Sequence, residues 1–173
     1  MTTDEHPWIH DCLMRRLIIE LNSLKITDTV ARKMAAHLFP GVILLLWGST
    51  GAGKTTFAKS LCAGLGANPE IVTSPTYTLV NMYPAHLSIF HVDLYRLTDP
   101  EQLDDFDRED LIAEEGLTLV EWPEYILNYL TDETVLNLLF ETVSENQRRL
   151  SLESEHSEFD ILFDTLEQPI SSQ

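Results

Sequence analysis

Basic residues are scarce in this chain. Its 173 residues include 11 lysines and arginines against 28 aspartates and glutamates, which gives a formal net charge of −17 at pH 7. A domain that binds DNA or RNA by itself needs a basic face to displace counterions from the phosphates. The composition therefore argues against strong, direct binding of nucleic acid. The acidic surface either keeps the protein soluble or presents a face to a basic partner.

Cysteines and long apolar runs are also scarce. Cys12 and Cys62 are far apart and form no CxxC pair, so they predict neither a disulfide framework nor a zinc site. Cys62 follows an apolar pattern and is expected in the core. The longest apolar run, Val42–Trp47, is far shorter than a membrane span, and the first ten residues lack the basic residues of a signal peptide. We expect a cytoplasmic protein that does not associate with membranes.

Three short apolar runs predict the centre of a parallel sheet. They are Val42–Trp47, Ser88–Asp93 and Leu117–Trp122. Such runs are typical of strands that are buried on both faces, and here they alternate with loops and helical patterns. This alternation predicts an α/β fold with three layers and a mostly parallel central sheet.

Less regular patterns flank this centre. Leu13–Leu21 predicts a first strand, while Thr134–Val143 and Arg149–Glu153 predict a pair of outer, antiparallel strands. A helix is expected after the capping side chains of residues 27–29. We expect residues 1–153 to form a single domain and residues 154–173 to form an acidic tail, frayed except for one short amphipathic turn.

One glycine-rich segment carries the strongest functional signal. Residues 48–55 read GSTGAGKT and match GxxxxGK[ST] at every fixed position. Glycines let successive N–H groups point at phosphate oxygens, and the helix that follows adds its positive N-terminal end. Lys54 is expected to reach the outer phosphates, and the Thr55 hydroxyl to bind Mg²⁺. The segment predicts a P-loop NTPase fold with ATP and Mg²⁺ as its ligands.

Two acids follow predicted strands directly. Asp93 and Glu121 stand at carboxyl ends, where ligands of such sheets bind, so each is a candidate for the metal site. The loop at residues 74–78 (SPTYT) carries hydroxyls, and such a loop can close over a γ-phosphate, although Ser-Pro-Thr is also ordinary turn chemistry. His91 is expected to be a core histidine with its hydrogen bonds satisfied, and Trp122 a packing residue.

Four motifs occur in order along the chain. They are residues 48–57 (GSTGAGKTTF), 74–81 (SPTYTLVN), 91–97 (HVDLYRL) and 120–124 (VEWPE). Together they resemble the TsaE (YjeE) family, the small P-loop ATPase of bacterial tRNA threonylcarbamoyladenosine biosynthesis. The resemblance covers residues 27–125.

The resemblance implies an ATPase that acts on partner proteins and meets tRNA only indirectly. The implied partners are the proteins TsaD and TsaB. The implied role of ATP hydrolysis is to reset their complex between rounds of threonylcarbamoyl transfer to adenosine 37 of tRNAs that read ANN codons.

The resemblance also assigns site residues. Thr55 and Glu121 would ligate Mg²⁺, and Lys54 would bind the phosphates. Thr76 would sense the γ-phosphate, and Asp93 would be needed for hydrolysis. The residues implied to bind the nucleotide are Thr29, Gly48, Ser49, Thr50, Gly51, Ala52, Gly53, Lys54, Thr55, Thr56 and Trp122. The assignment of Thr29, near the adenine, depends on an alignment that can slip by two residues.

The chain departs from the family at the P-loop, where Ser49-Thr50 replaces the usual Asp-Leu. An acid at position 49 could help to position the attacking water, so its absence suggests slow turnover and leaves open which acid has that task.

The alternative function is a small-molecule or nucleotide kinase. Kinases use lid arginines, and only Arg96 and Arg108 lie between the predicted strands Ser88–Asp93 and Leu117–Trp122. A GTPase is disfavoured because the chain has no NKxD sequence.

Overall fold

The computed structural model describes residues 14–169, and within them the chain forms one seven-stranded sheet with helices on both faces. The strands are β1 (Arg15–Leu21), β2 (Val42–Trp47), β3 (Val80–Tyr83), β4 (Ile89–Asp93), β5 (Leu117–Glu121), β6 (Val135–Ser144) and β7 (Gln147–Ser154). The α-helices are α1 (Leu24–Ala35), α2 (Lys54–Gly64), α3 (Arg108–Leu111) and α4 (Asp160–Glu167). Short 3₁₀ helices span Pro100–Asp105, Pro123–Tyr125, Leu127–Tyr129 and Ser157–Phe159.

The strand order is β1-β7-β6-β2-β5-β4-β3. Strand β2 pairs in parallel with both β5 and β6, and β5 pairs in parallel with β4. The edges are antiparallel, because β7 and β1 continue the sheet on one side and β3 on the other. The predicted α/β class, with a mostly parallel centre and antiparallel extensions, is confirmed.

Alternate side chains of β2 enter two separate cores. Val42, Leu44 and Leu46 pack in the core that α1, α2 and α4 cover. Ile43 and Leu45 face the other core, which is closed by short helical segments. All five side chains are buried, as expected for a strand with helices on both faces of its sheet.

The hairpin of β6 and β7 lies further inside the sheet than the sequence predicts. We expected an outer pair of strands, but β6 pairs directly with β2, and β1 forms the edge. The apolar pattern of β6 marks its buried residues and carries no information on which strand lies beside it. This placement brings the hairpin close to the glycine-rich loop that follows β2.

Helix α1 begins earlier than the sequence predicts. Its N-cap is Ser23, whose hydroxyl accepts a hydrogen bond from the Ile26 N–H at 3.2 Å. Thr27 lies inside the helix, and its hydroxyl donates to the Ser23 carbonyl at 3.1 Å. The predicted cap at residues 27–29 is therefore wrong. Serine, threonine and aspartate all cap helices well, so residue type alone does not decide which of them begins the helix.

The acidic C-terminal segment is packed within the described residues, so the prediction of a frayed end is wrong. Helix α4 and the preceding turn bury Phe159, Leu162, Phe163 and Leu166 in the first core. Arg15 on β1 binds the acidic face of α4, with Nη2 at 2.5 Å from Asp164 and 3.0 Å from Glu167. The apolar residues of α4 recur at helical spacing between acidic residues, and the sequence prediction missed the apolar face that they form.

Cys62 is fully buried on α2, as predicted, and this burial raises the pKa of its thiol to about 12. Cys12 lies outside the described residues. Among residues 14–169, no helix is both long enough and apolar enough to cross a membrane.

Candidate nucleotide-binding site

The glycine-rich loop connects β2 to α2 and approaches β6 closely. Gly48 has φ +133°, and a Cβ atom built there would lie 2.4 Å from the carbonyl oxygen of Phe140. Only glycine fits this position without a backbone shift. Gly53, with φ +109°, is the N-cap of α2. The loop therefore has the backbone conformation that directs N–H groups toward an anion at the helix N-terminus.

The loop lines a cavity of about 300 Å³ at the carboxyl ends of β2, β4 and β5. Its walls are Thr50, Gly51, Ala52, Gly53, Lys54, Thr55, Thr56, Ser74, Thr76, Asp93, Tyr95, Glu121 and Trp122. The structure thus brings most of the expected site residues to one cavity, although they come from four distant parts of the chain. Ser74 and Tyr95 are additional.

Thr55 and Glu121 face each other in this cavity. The Thr55 hydroxyl lies 2.9 Å from Oε1 and 3.1 Å from Oε2 of Glu121. A hydroxyl and a carboxylate in contact fit Mg²⁺, which in nucleotide sites takes one or two protein oxygens together with phosphates and water. Among the described residues, no group of three or more His, Cys, Asp and Glu side chains could hold a metal ion.

Asp93 stands opposite Glu121 in the register of β4 and β5. Both carboxyl groups are buried, at 2% and 3% exposure. Buried carboxylates this close to each other require cationic or hydrogen-bonding partners. Lys54 is the nearby cation, since Glu121 and Asp93 both act electrostatically on it.

Lys54 folds back onto its own loop. Its Nζ atom donates to the carbonyl oxygens of Gly48 and Ser49, at 2.5 and 3.1 Å. Burial lowers the pKa of its ammonium group, and the carboxylates of Glu121 and Asp93 oppose that shift. The ammonium also lies 4.0 Å from the centroid of the Trp122 ring. Lys54 thus holds hydrogen bonds that a phosphate could replace.

Trp122 has a backbone conformation that is rare for a large residue. Its φ is +59°, in the left-handed region, which costs on the order of 1 kcal/mol or more. The turn aims the indole at Lys54 and brings it within 5.0 Å of the Tyr95 ring, centroid to centroid. Trp122 therefore forms part of the cavity wall and contacts a loop residue, which is more than the packing role expected for it.

The threonine-rich loop is tied to Asp93. Oδ2 of Asp93 accepts hydrogen bonds from the hydroxyls of Ser74 and Thr76, the latter at 2.7 Å. Oδ1 accepts one from the Tyr95 N–H at 3.0 Å. Asp93 thus links the loop to the end of β4, and Thr76 lines the cavity.

His91 is buried on β4, but its hydrogen bonds are only half satisfied. Nε2 lies 2.9 Å from Oε1 of Glu121, while Nδ1 has no hydrogen-bond partner in the part of the chain that the structure describes. The expectation of a satisfied core histidine is therefore wrong for Nδ1. The expectation also missed the contact with Glu121, because strand alternation shows burial and not the neighbour.

A second cavity of about 590 Å³ adjoins the P-loop, between the start of α1 and the β6–β7 hairpin. Thr27 lines it, whereas Thr29 does not and instead donates to the Lys25 carbonyl at 2.9 Å. Arg148 of the hairpin also lines it, with Nη2 at 3.4 Å from the Gly51 carbonyl. No pattern in the sequence indicates Arg148, which is 97 residues from Gly51.

A phosphate-binding loop between a buried parallel strand and a helix defines the P-loop NTPase fold, and this chain has that fold. The sequence model of the family described as "Threonylcarbamoyl adenosine biosynthesis protein TsaE" matches residues 21–150. The chain therefore belongs to the TsaE family.

Curated relatives and a solved structure agree with this assignment. The chain is 33% identical over 141 residues to the tRNA threonylcarbamoyladenosine biosynthesis protein TsaE of Bacillus subtilis, covering 81% of this chain and 87% of that protein. It is 35% identical over 144 residues to the protein of the same name from Rickettsia typhi, covering 82% and 98%. The crystal structure of YdiB from Bacillus subtilis superimposes with a TM-score of 0.71 at 27% identity, over 91% of this chain and 98% of that one.

Proposed function

We propose that the protein is a Mg²⁺-dependent ATPase required for threonylcarbamoylation of adenosine 37 in tRNAs that read ANN codons. The observation that carries the ATPase proposal is the contact of Thr55 with Glu121 beside Lys54, at the base of a P-loop cavity. A hydroxyl, a carboxylate and an ammonium group are the protein groups that such reactions use.

Each side chain has a proposed task. Lys54 exchanges its bonds to the loop carbonyls for bonds to the outer phosphates. Thr55 and Glu121 hold Mg²⁺, which when bound neutralises charge on the β- and γ-phosphates. Thr76 leaves Asp93 to contact the γ-phosphate, and Asp93, which keeps its hydrogen bonds from Ser74 and Tyr95, then accepts one from the attacking water. Ser49 contributes no carboxylate, which supports slow turnover by the isolated protein.

The second cavity is proposed to hold the nucleoside. It is continuous with the P-loop through Gly51, Ala52 and Gly53, which line both cavities. Thr27 lines it, so Thr27→Ala is expected to weaken ADP binding. The role assigned to Thr29 remains a prediction, and Thr29→Ala is the matched comparison. Calorimetric titration with ADP measures the affinity of both variants. A loss of affinity in Thr29→Ala alone would restore the original assignment.

The proposed partners are TsaD- and TsaB-like proteins, and the proposed location is the cytoplasm. The net charge of −17 supports an indirect contact with tRNA, since the chain has few basic residues with which to bind phosphates. The same acidic surface suits a partner with a basic face.

The hydrolysis test measures ADP release with and without Mg²⁺. Thr55→Ala and Glu121→Gln are expected to lower Mg²⁺-dependent turnover by about 10–100-fold or more, since even residues that only support metal ligands have effects of this size. ADP binding in EDTA is expected to survive. Thr165→Ala and Glu158→Gln are the controls, because both side chains lie at the distant C-terminal end. Normal hydrolysis by Glu121→Gln would show that the metal assignment is wrong.

The partner test mixes the protein with the two expected partners in ATP and in ADP. We expect a complex in at least one nucleotide state and faster ATP hydrolysis within it. Absence of binding in both states would remove the biological role while leaving the ATPase intact. Turnover that depends on a small-molecule acceptor would instead favour the kinase.

A further inference from the structure

His91 has hydrogen bonds that a packing role does not explain. Its ring is fully buried on β4, its Nε2 atom contacts Glu121 at 2.9 Å, and its Nδ1 atom has no hydrogen-bond partner among residues 14–169. A buried polar atom without a partner costs free energy. An apolar side chain of similar size would avoid that cost, so the contact through Nε2 is the feature that distinguishes histidine here.

His91 is the donor in this contact. A glutamate that binds a cation is ionised, and an ionised carboxylate only accepts hydrogen bonds. His91 Nε2 must therefore donate to Glu121. Oε1 of Glu121 accepts from His91 Nε2 and from the Thr55 hydroxyl, each at 2.9 Å. The carboxylate is therefore held from two sides, by the P-loop helix α2 and by β4.

The His91 ring is itself supported from β3. The ring of Tyr83 lies 6.2 Å from it between centroids, tilted by 54°. The Tyr83 hydroxyl donates to the Thr73 carbonyl at 2.9 Å, next to the start of the threonine-rich loop. Tyr83, which is itself held by this hydrogen bond, therefore packs beside the His91 ring.

We propose that His91 is a positioning residue, which holds the Glu121 carboxylate toward Thr55 and thereby sets the Mg²⁺ affinity of the nucleotide complex. This inference rests on the proposed function, because it takes Glu121 as the metal-site carboxylate. Without the donor, Oε1 loses one of its two hydrogen bonds, and the carboxylate can turn toward the ammonium of Lys54. Partners that orient metal ligands typically change metal affinity by about 10–100-fold.

Three substitutions separate positioning from packing. His91→Phe keeps a ring of similar volume and removes the donor. His91→Gln carries an amide donor near the position of Nε2, whereas His91→Asn carries it near Nδ1, for which the described residues offer no partner. Calorimetry gives the ADP affinity in EDTA and then the Mg²⁺ affinity of each ADP complex. Glu121→Gln serves as the reference for a lost ligand.

We expect His91→Phe and His91→Asn to weaken Mg²⁺ binding to the ADP complex by about 10–100-fold, and His91→Gln to recover it to within about threefold. ADP affinity in EDTA is expected to stay unchanged. Wild-type Mg²⁺ affinity in the Phe or Asn variant would overturn the proposal. If His91→Phe does not fold, equal Mg²⁺ affinities of the Gln and Asn variants would overturn it as well. Failure of the proposed function looks different, since the wild type itself would then show no Mg²⁺-dependent nucleotide binding.

Discussion

Replacing Phe163 by alanine tests whether α4 is part of the folded domain. Its side chain is 1% exposed within the first core, and its ring lies 5.1 Å from the guanidinium carbon of Arg15. Truncation of a buried phenylalanine to alanine costs about 3–5 kcal/mol, because apolar contacts are lost and a cavity remains. For a chain of this size, such a loss lowers Tm by on the order of 10 °C.

The matched control is Ile161→Ala, two residues earlier on the same helix. Ile161 is 69% exposed, so its truncation is expected to change the free energy of unfolding by less than about 0.5 kcal/mol. Urea denaturation followed by circular dichroism measures both variants. If Phe163→Ala is as stable as Ile161→Ala, the packing of α4 is refuted and the acidic segment is frayed after all.

Three further predictions concern the P-loop, the β6–β7 hairpin and the buried cysteine. Gly48→Ala is expected to weaken ADP binding at least tenfold in calorimetry. The alanine Cβ would lie 2.4 Å from the Phe140 carbonyl oxygen, and relieving this clash displaces the loop by on the order of 1 Å. Wild-type affinity in this variant would contradict the close approach of the two backbones. Arg148→Ala is expected to weaken ADP binding several-fold, on the order of 1 kcal/mol, without changing its Mg²⁺ dependence; an altered Mg²⁺ dependence would place Arg148 at the metal instead. Burial raises the pKa of the Cys62 thiol to about 12, so the thiol is expected to stay protonated at pH 8 and to resist iodoacetamide until the protein unfolds. Modification of Cys62 in the native protein, detected by mass spectrometry, would contradict this burial.

The sequence predicted the elements that have strong local patterns. Strand β2 is a continuous apolar run, β4 and β5 are short and mainly apolar, and the P-loop has fixed residue types at fixed spacing, so each could be located without tertiary information. Because parallel strands share a carboxyl edge, Asp93 and Glu121 were also expected near the loop.

The wrong predictions share one physical cause. Each depends on which surfaces pack together, and this cannot be read from local residue types. The three features are the N-cap of α1, the position of β6 in the sheet and the packing of α4. Several residue types can cap a helix, so whether α1 begins at Ser23 or at Thr27 depends on how well the resulting helix packs. Helix α4 has eight residues, three of which are acids that contact Arg15 of β1, and without that contact the segment resembles a solvated tail.

The amino-acid sequence alone determined the class of this protein, because phosphate binding by a P-loop needs only glycine conformations, a lysine and a hydroxyl within one continuous segment. The tertiary structure decided which distant groups surround that segment. Arg148 approaches Gly51 from a hairpin late in the chain, and His91 reaches Glu121 across neighbouring strands. Such contacts depend on strand order and register, which arise from the packing of the whole sheet rather than from any local pattern.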